Sequence, residues 1–196
     1  MTYEIEGIRP VISEKAFIHE TAVIIGDVII EEGVYVGPTA SIRGDFGRII
    51  IKKNSNIQDG CILHGYTGMD TIVEENGHIG HGAILHSCHI KKNALIGMSA
   101  VIMDEAIIGE NSIIGALSLV PAKMDVPDNH LAIGVPAKVK RNLRDQEIEW
   151  KKESTQSYID LTSRCLKDFK ACESLNKLTP HRENQRFEMD FKPKNS

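Results

Sequence analysis

Aromatic residues make up only 5% of the 196-residue chain, with a single Trp. Stacked rings therefore cannot fill a core. It must be built from aliphatic side chains, and these are largely Ile and Val, whose branched Cβ suits a pleated strand. A basic excess is also missing. The 23 Lys and Arg face 27 Asp and Glu, for a formal charge of −4, so the positive field that a nucleic-acid partner needs is not there. Long apolar runs are lacking: stretches such as Val28–Ile30 are far too short to cross a bilayer. The N-terminus, MTYEIEGIRP, carries early acids and no apolar segment, so no signal peptide is expected. The four cysteines, Cys61, Cys88, Cys165 and Cys172, form no CxxC pair. They read as reduced, mostly buried thiols of a cytoplasmic protein.

What is present is a repeat. An aliphatic residue recurs at Ile18, Ile24, Ile30, Val36 and Ile42, then at Ile51, Ile57 and Leu63, then at Val73, Ile79 and Leu85. It continues through Ile90, Ile96, Ile102, Ile108, Ile114 and Val120. Thirteen of the sixteen intervals are six residues, and the exceptions are nine, ten and five. Four residues after most of these positions stands a small or slender one, such as Ala22, Ala40, Ser55, Cys61, Ala83, Ala100 or Ser112. Phe46, Thr67 and His89 depart from that column, and they fall inside the irregular intervals. Six is not a helical period. It fits a short strand plus a corner, three of which close a triangular coil of about eighteen residues. Gly and Asn at Gly26, Gly33, Gly37, Asn54, Gly80, Asn93, Gly97, Gly109 and Asn111 suit the backbone of tight corners. The pattern predicts an all-β parallel β-helix over residues 18–139, preceded by a cap over 1–17.

From about Asp145 to Cys172 the period changes. Ile148, Tyr158, Leu161, Thr162, Cys165, Leu166 and Phe169 recur at helical spacings among Lys and Glu. This predicts one amphipathic helix, with a kink near Ser154–Ser157, inside a C-terminal region of 140–196. Residues 173–196 are polar and read either as a disordered tail or as an arm ordered on a neighbouring subunit.

The repeat stacks positions without any coordinates. Three rungs separate Ile42, Leu63 and Leu85, so their successors Arg43, His64 and His86 share one outward column. Adjacent strands lie about 4.7–4.9 Å apart, close enough for two imidazoles to reach one ion with Zn–N bonds of about 2.0–2.1 Å. By the same count His81 stacks one coil above Asp59, at a corner. His81 and His86 are separated along their coil by roughly 13–16 Å of nearly extended chain. One chain cannot easily join all three histidines, whereas a neighbour around a threefold axis can. An intersubunit metal site in a homotrimer follows. His19, His78, His89, His130 and His181 read as structural or idle.

At these residues the chain resembles the γ-class carbonic anhydrase-like branch of the hexapeptide-repeat proteins. The matching segments are SIRGD at Ser41–Asp45, NIQDGCILH at Asn56–His64 and GHGAILH at Gly80–His86, with GVPAK at Gly134–Lys138 as the exit from the coil. The resemblance covers about Ile12 to Lys138 and implies a left-handed turn, which spacing alone does not give. It implies that His64, His81 and His86 hold the metal, two from one subunit and one from the next. It further implies that Arg43, Asp45, Gln58 and Asp59 line the site, with Arg43 pairing to carboxylates across the interface and Gln58 orienting a water. The closer likeness is to phenylacetate-degradation (PaaY-type) and carnitine-operon (CaiE-type) proteins. It rests on RGDFGR at Arg43–Arg48, the stretch Leu63–His86, and EWKKESTQSYIDLTSRC at Glu149–Cys165.

One departure from the anhydrases carries weight. Their proton-shuttle glutamate is replaced by Phe46, and of their acidic loop only Asp70 is matched in Tyr66–Asp70. A tris-histidine zinc with an open position brings bound water towards a pKa of about 7, and imidazole ligands also accept Fe2+, Co2+ or Ni2+. Hydroxide so formed can add to CO2 or to a thioester carbonyl, with Gln58 or Tyr66 assisting, and the PaaY-type resemblance implies acyl-CoA hydrolysis as the first expectation. Hydration of CO2 to bicarbonate, an accessory role beside CoA enzymes, and acyl transfer are the alternatives.

Overall fold

The computed structural model describes residues 1–180, 182 and 187. The expected tail of 173–196 thus lies largely outside the described residues, as does His181. Within them the chain winds a parallel β-helix and ends in one helix, α1 (Asp145–Asp168). Three faces repeat along the coil. The first stacks Ile62–His64, Ile84–His86, Val101–Ile102 and Leu119–Val120. The second stacks Thr71–Val73, His89–Ile90, Ile107–Ile108 and Asp125–Val126. The third runs from Phe17–Ile18 through Tyr35–Val36, Asn56–Ile57, His78–Ile79, Leu95–Ile96 and Ile113–Ile114 to His130–Gly134. The long strands Val23–Ile30 and Ser41–Ile51 pass from the first face to the second in one sweep, which accounts for the nine-residue interval after Ile42. Thr2–Tyr3 and Val11–Ile12 already pair parallel to Val23–Ile30, so the N-terminal segment joins the wall of the coil. At the far end Ala137–Asn142 folds back antiparallel on His130–Gly134.

Both columns of the repeat point inward. Ile24, Ile42, Leu63, Leu85, Ile102 and Val120 are fully buried, and so are the slender Ala22, Ala40, Cys61, Ala83 and Ala100. Burying each large aliphatic contributes about 1.5–3 kcal/mol, and truncating one to Ala should cost about 2–5 kcal/mol because rigid rungs cannot collapse on the gap. Cys61 and Cys88 belong to this core, whereas Cys165 is half-buried and Cys172 exposed. The expectation of mostly buried thiols therefore holds for two of the four.

The corner between the second and third faces is an asparagine column. Asn54, Asn76, Asn93, Asn111 and Asn129 all have φ of 56–60°, the left-handed region that Asn tolerates best after Gly. Their amides stack from coil to coil: Asn93 Nδ2 donates to Asn111 Oδ1 at 2.7 Å, and Asn111 Nδ2 to Asn129 Oδ1 at 2.9 Å. Just outside runs a line of alternating charge, Lys15, Glu32, Lys53, Glu75 and Lys92, with Lys53–Glu32 at 2.7 Å and Lys92–Glu75 at 3.3 Å. These pairs are exposed and worth about 0–1 kcal/mol each.

Helix α1 lies against this corner and differs from the sequence-based expectation in two ways. It runs unbroken through Ser154–Ser157, without the expected interruption, and stops at Asp168 rather than Cys172. Its buried line is also polar: Glu147, Lys151, Thr155 and Thr162, while Leu166 and Phe169 of the expected apolar stripe are exposed. The cause is the surface it meets. The asparagine corner offers oxygen acceptors, and Lys151 Nζ donates to Asn76 O and Asn93 Oδ1, each at 2.6 Å. Glu147 takes both arms of the Arg141 guanidinium, at 2.7 and 3.0 Å, and caps the helix by accepting the Arg144 N–H at 3.0 Å. A small apolar cluster of Leu95, Ile113 and Leu143, with Leu131, Ile148 and Trp150 packed on it, completes the dock.

Burial pulls the Lys151 ammonium down to about 7, against about 10.4 for an exposed lysine. Between those values the unfolded chain binds more protons than the folded one, so stability rises with pH across that window. Lys151→Met removes the dependence. In denaturant titrations the wild type should gain stability from about pH 7 to about pH 10 more steeply than the variant. Parallel pH curves would mean that the amine stays charged in the fold.

Candidate metal-binding site at the coil surface

The register pairs His86 directly with His64 on adjacent strands. Both stand where the first face turns towards the second, and both are half-buried. Their inner nitrogens face each other, with His64 Nδ1 3.3 Å from His86 Nε2. The outer nitrogens are each held by a carboxylate. His64 Nε2 meets Asp45 Oδ1 at 2.9 Å, and His86 Nδ1 meets Asp104 Oδ1. A carboxylate on one ring nitrogen keeps the proton there and leaves the other with a free lone pair, which is how metal-ligating histidines are prepared. Two ligands at about 2.0–2.1 Å from a tetrahedral ion sit about 3.3 Å apart, so the facing nitrogens fit a shared ion.

Around the pair lie exposed apolar rings. Phe46 packs against His64 with centroids 5.4 Å apart, and Tyr66 meets His86 edge-on at 4.9 Å. Tyr66 is positioned from its backbone, whose N–H donates to Ser87 Oγ at 2.8 Å. The loop it opens rests on the strand Ser41–Ile51 at Gly47, where a Cβ would run into the carbonyl oxygens of Tyr66 and Met69. Arg43 is exposed, with Nε 3.7 Å from Asp45 Oδ2.

His81 lies at another corner, where the third face turns into the first. It carries the same preparation: its Nδ1 is 2.9 Å from Asp59 Oδ2. Among the described residues of one chain, no three His, Cys, Asp or Glu side chains converge on a metal position. The structure thus brings together Arg43, Asp45, His64, Tyr66 and His86 on one side, and Gln58, Asp59 and His81 on the other. Gln58 is buried and both ends of its amide are engaged. Its Nε2 donates to Asn56 Oδ1 and His78 Nε2, and its Oε1 accepts the His81 backbone N–H at 3.2 Å. It faces the His81 corner from below and does not touch the His64–His86 pair of its own chain.

Sequence reasoning missed Asp104 and the partners of His78. Asp104 sits one coil beyond His86 at the corner, and the five-residue interval after Leu85 hid that alignment. His78, read as structural or idle, is structural: it is buried in contact with Asn56, Gln58 and Thr155. Its ring is pushed down to about 3, first by burial and then by the Lys151 and His81 charges. His19, His89 and His130 make local contacts with Thr21, Glu74 and the Asp128 carbonyl. Among the described residues no helix is long and apolar enough to cross a membrane.

Comparison with known proteins places the chain in a family by sequence and fold. A family model described as bacterial transferase hexapeptide (six repeats) matches residues 87–122. The carnitine operon protein CaiE of Citrobacter koseri is 50% identical over 194 residues, covering 99% of this chain and 98% of that one. CaiE of Proteus sp. is 51% identical over 192 residues, covering 98% of each. Among solved structures, a "putative acetyltransferase" from Bacillus cereus superposes with a TM-score of 0.83 at 39% identity, over 85% of this chain and 96% of that one. A hexapeptide transferase family protein from Anaplasma phagocytophilum gives 0.80 at 34% identity, over 83% and 96%. At half-identity over nearly its whole length, the chain belongs to the CaiE family of hexapeptide-repeat carnitine operon proteins.

Proposed function

We propose that the protein is a metal-dependent acyl-thioester hydrolase whose site is assembled between subunits of a homotrimer. The observation that carries this reading is the facing pair His64 Nδ1 and His86 Nε2, 3.3 Å apart, with carboxylates behind both rings. His81, equally backed by Asp59, is the third ligand, supplied by the next chain. The surfaces support such an arrangement. Beyond His81 on its corner stand exposed Met98 and Leu117, and beside His64 the first face presents exposed Ile62 with half-buried Ile84, Val101 and Leu119. A corner of one chain against the face of another would cover both apolar sets.

Zinc is the expected ion, with Fe2+, Co2+ or Ni2+ also suited to imidazole. A divalent cation held there supplies a Lewis acid and acidifies water. This chain's residues do the rest. Asp45 and Asp104 fix the rings and the tautomers of His64 and His86. The Tyr66 phenol, exposed beside His86, can donate to a carbonyl oxygen. Phe46 and Tyr66 offer an apolar wall to an acyl group and little that carries a proton. Rapid CO2 hydration needs such a carrier, whereas slower thioester hydrolysis can take its protons from solvent. The acyl chemistry also agrees with the transferase descriptions of the structural relatives. A second reading, acyl transfer, is favoured by the His64–Asp45 pair, which has the form of a base and its orienter. Metal content separates the two, because a transferase base must keep its nitrogen free of metal.

Two outcomes are expected. On a panel of acyl-CoA esters the zinc-loaded protein should release thiol, while stopped-flow CO2 hydration stays slow. A fast anhydrase rate with no thiol release would refute the hydrolase reading. The shared site is tested by refolding His81→Ala and His86→Ala chains together, each metal-free alone. Zinc should return to about a quarter of the sites, since half the faces and half the corners are intact. If mass analysis shows mixed trimers and no zinc returns, the ligands do not come from two chains.

A further inference from the structure

Beneath the His81 corner a line of hydrogen bonds runs to the C-terminal helix. The His81 backbone N–H donates to Gln58 Oε1 at 3.2 Å. This orients the amide, so Gln58 Nε2 is the donor towards His78 Nε2 at 2.7 Å and towards Asn56 Oδ1 at 2.9 Å. A ring nitrogen that receives an N–H must carry its lone pair, so the His78 proton lies on Nδ1. Thr155 Oγ1 of α1 stands 3.2 Å from that Nδ1 and accepts it. Asn56 Nδ2, 3.3 Å from the same atom, is a donor and offers the proton nothing. Asn56, Gln58, His78 and Thr155 are all buried, so no water can replace a broken link without opening the dock. The Tyr158 ring of α1 closes the other side of His78, edge-on at 5.3 Å. A neutral His78 is what the chain of donors requires, and burial holds it in that state.

We propose that α1 sets the position of His81 through Thr155, His78 and Gln58, so that the C-terminal helix of each chain controls the metal corner which that chain lends to its neighbour. The ligand role of His81 rests on the metal-site reading given above, while the relay itself is a property of one chain. In this arrangement Thr155, His78 and Gln58 are positioning residues. The helix is then part of the site, although it touches neither the His64–His86 pair nor its apolar walls.

Thr155→Val keeps the shape of the side chain and removes the acceptor. Two quantities are read on the full-length protein: hydrogen exchange of the His81 amide, with the Ile84 and Leu95 amides as controls, and zinc affinity by chelator competition. His81 exchange should quicken about tenfold with the controls unchanged, and zinc should bind about 10–100-fold more weakly, as when outer-shell partners of a ligand are lost. Thr155→Ser should restore both, which a general packing defect would not allow. Gln58→Met cuts the last link without touching α1, and it decides the matter if Thr155→Val loses helical circular dichroism. Unchanged His81 exchange in the folded variants overturns the proposal. If the wild type takes up no zinc, the metal reading falls and the exchange data alone judge the relay.

Discussion

Everything here depends on coil-to-coil register. Parallel strands about 4.8 Å apart force like positions into columns, and a buried column of Ile, Val and Leu allows no slip, because a one-residue shift would turn the aliphatics outward. Once the core fixes that register, outward positions are fixed as well. His86 cannot avoid lying over His64, nor the asparagines over one another. The same constraint that stabilises the fold therefore lines up histidines, carboxylates and corner amides, with no separate device for any of them.

That is why so much was legible in the sequence. A six-residue period in a chain poor in aromatics admits few architectures, and counting rungs was enough to pair His64 with His86 and Asp59 with His81. The left-handed turn came from family resemblance, since spacing is silent on hand. Legibility failed where the count breaks or where a surface must be known first. The short interval after Leu85 concealed Asp104. The docking line of α1 was read as apolar because amphipathic helices usually bury apolar stripes. Here the partner surface is a ladder of amides and carbonyls, so Glu147, Lys151 and Thr155 are the residues that go inside. Nothing in the helix's own sequence announces that partner. The contacts that the Gln58 amide makes to Asn56, His78 and the His81 backbone N–H were not legible either, because they depend on how the coils stack at that corner.

The three carboxylate–histidine pairs also differ in a way that matters for assembly. Asp45–His64 and Asp104–His86 are partly sheltered on the face, whereas Asp59–His81 is nearly half exposed on its corner. A side chain left in solvent gains precision from its ring partner, here Asp59, and from what holds its backbone. In this chain the backbone is held from beneath, by an amide that is itself held by a neutral histidine under a helix. The most exposed of the three histidines thus has the deepest support. The C-terminal helix reaches that corner without touching it, through side chains that are all buried.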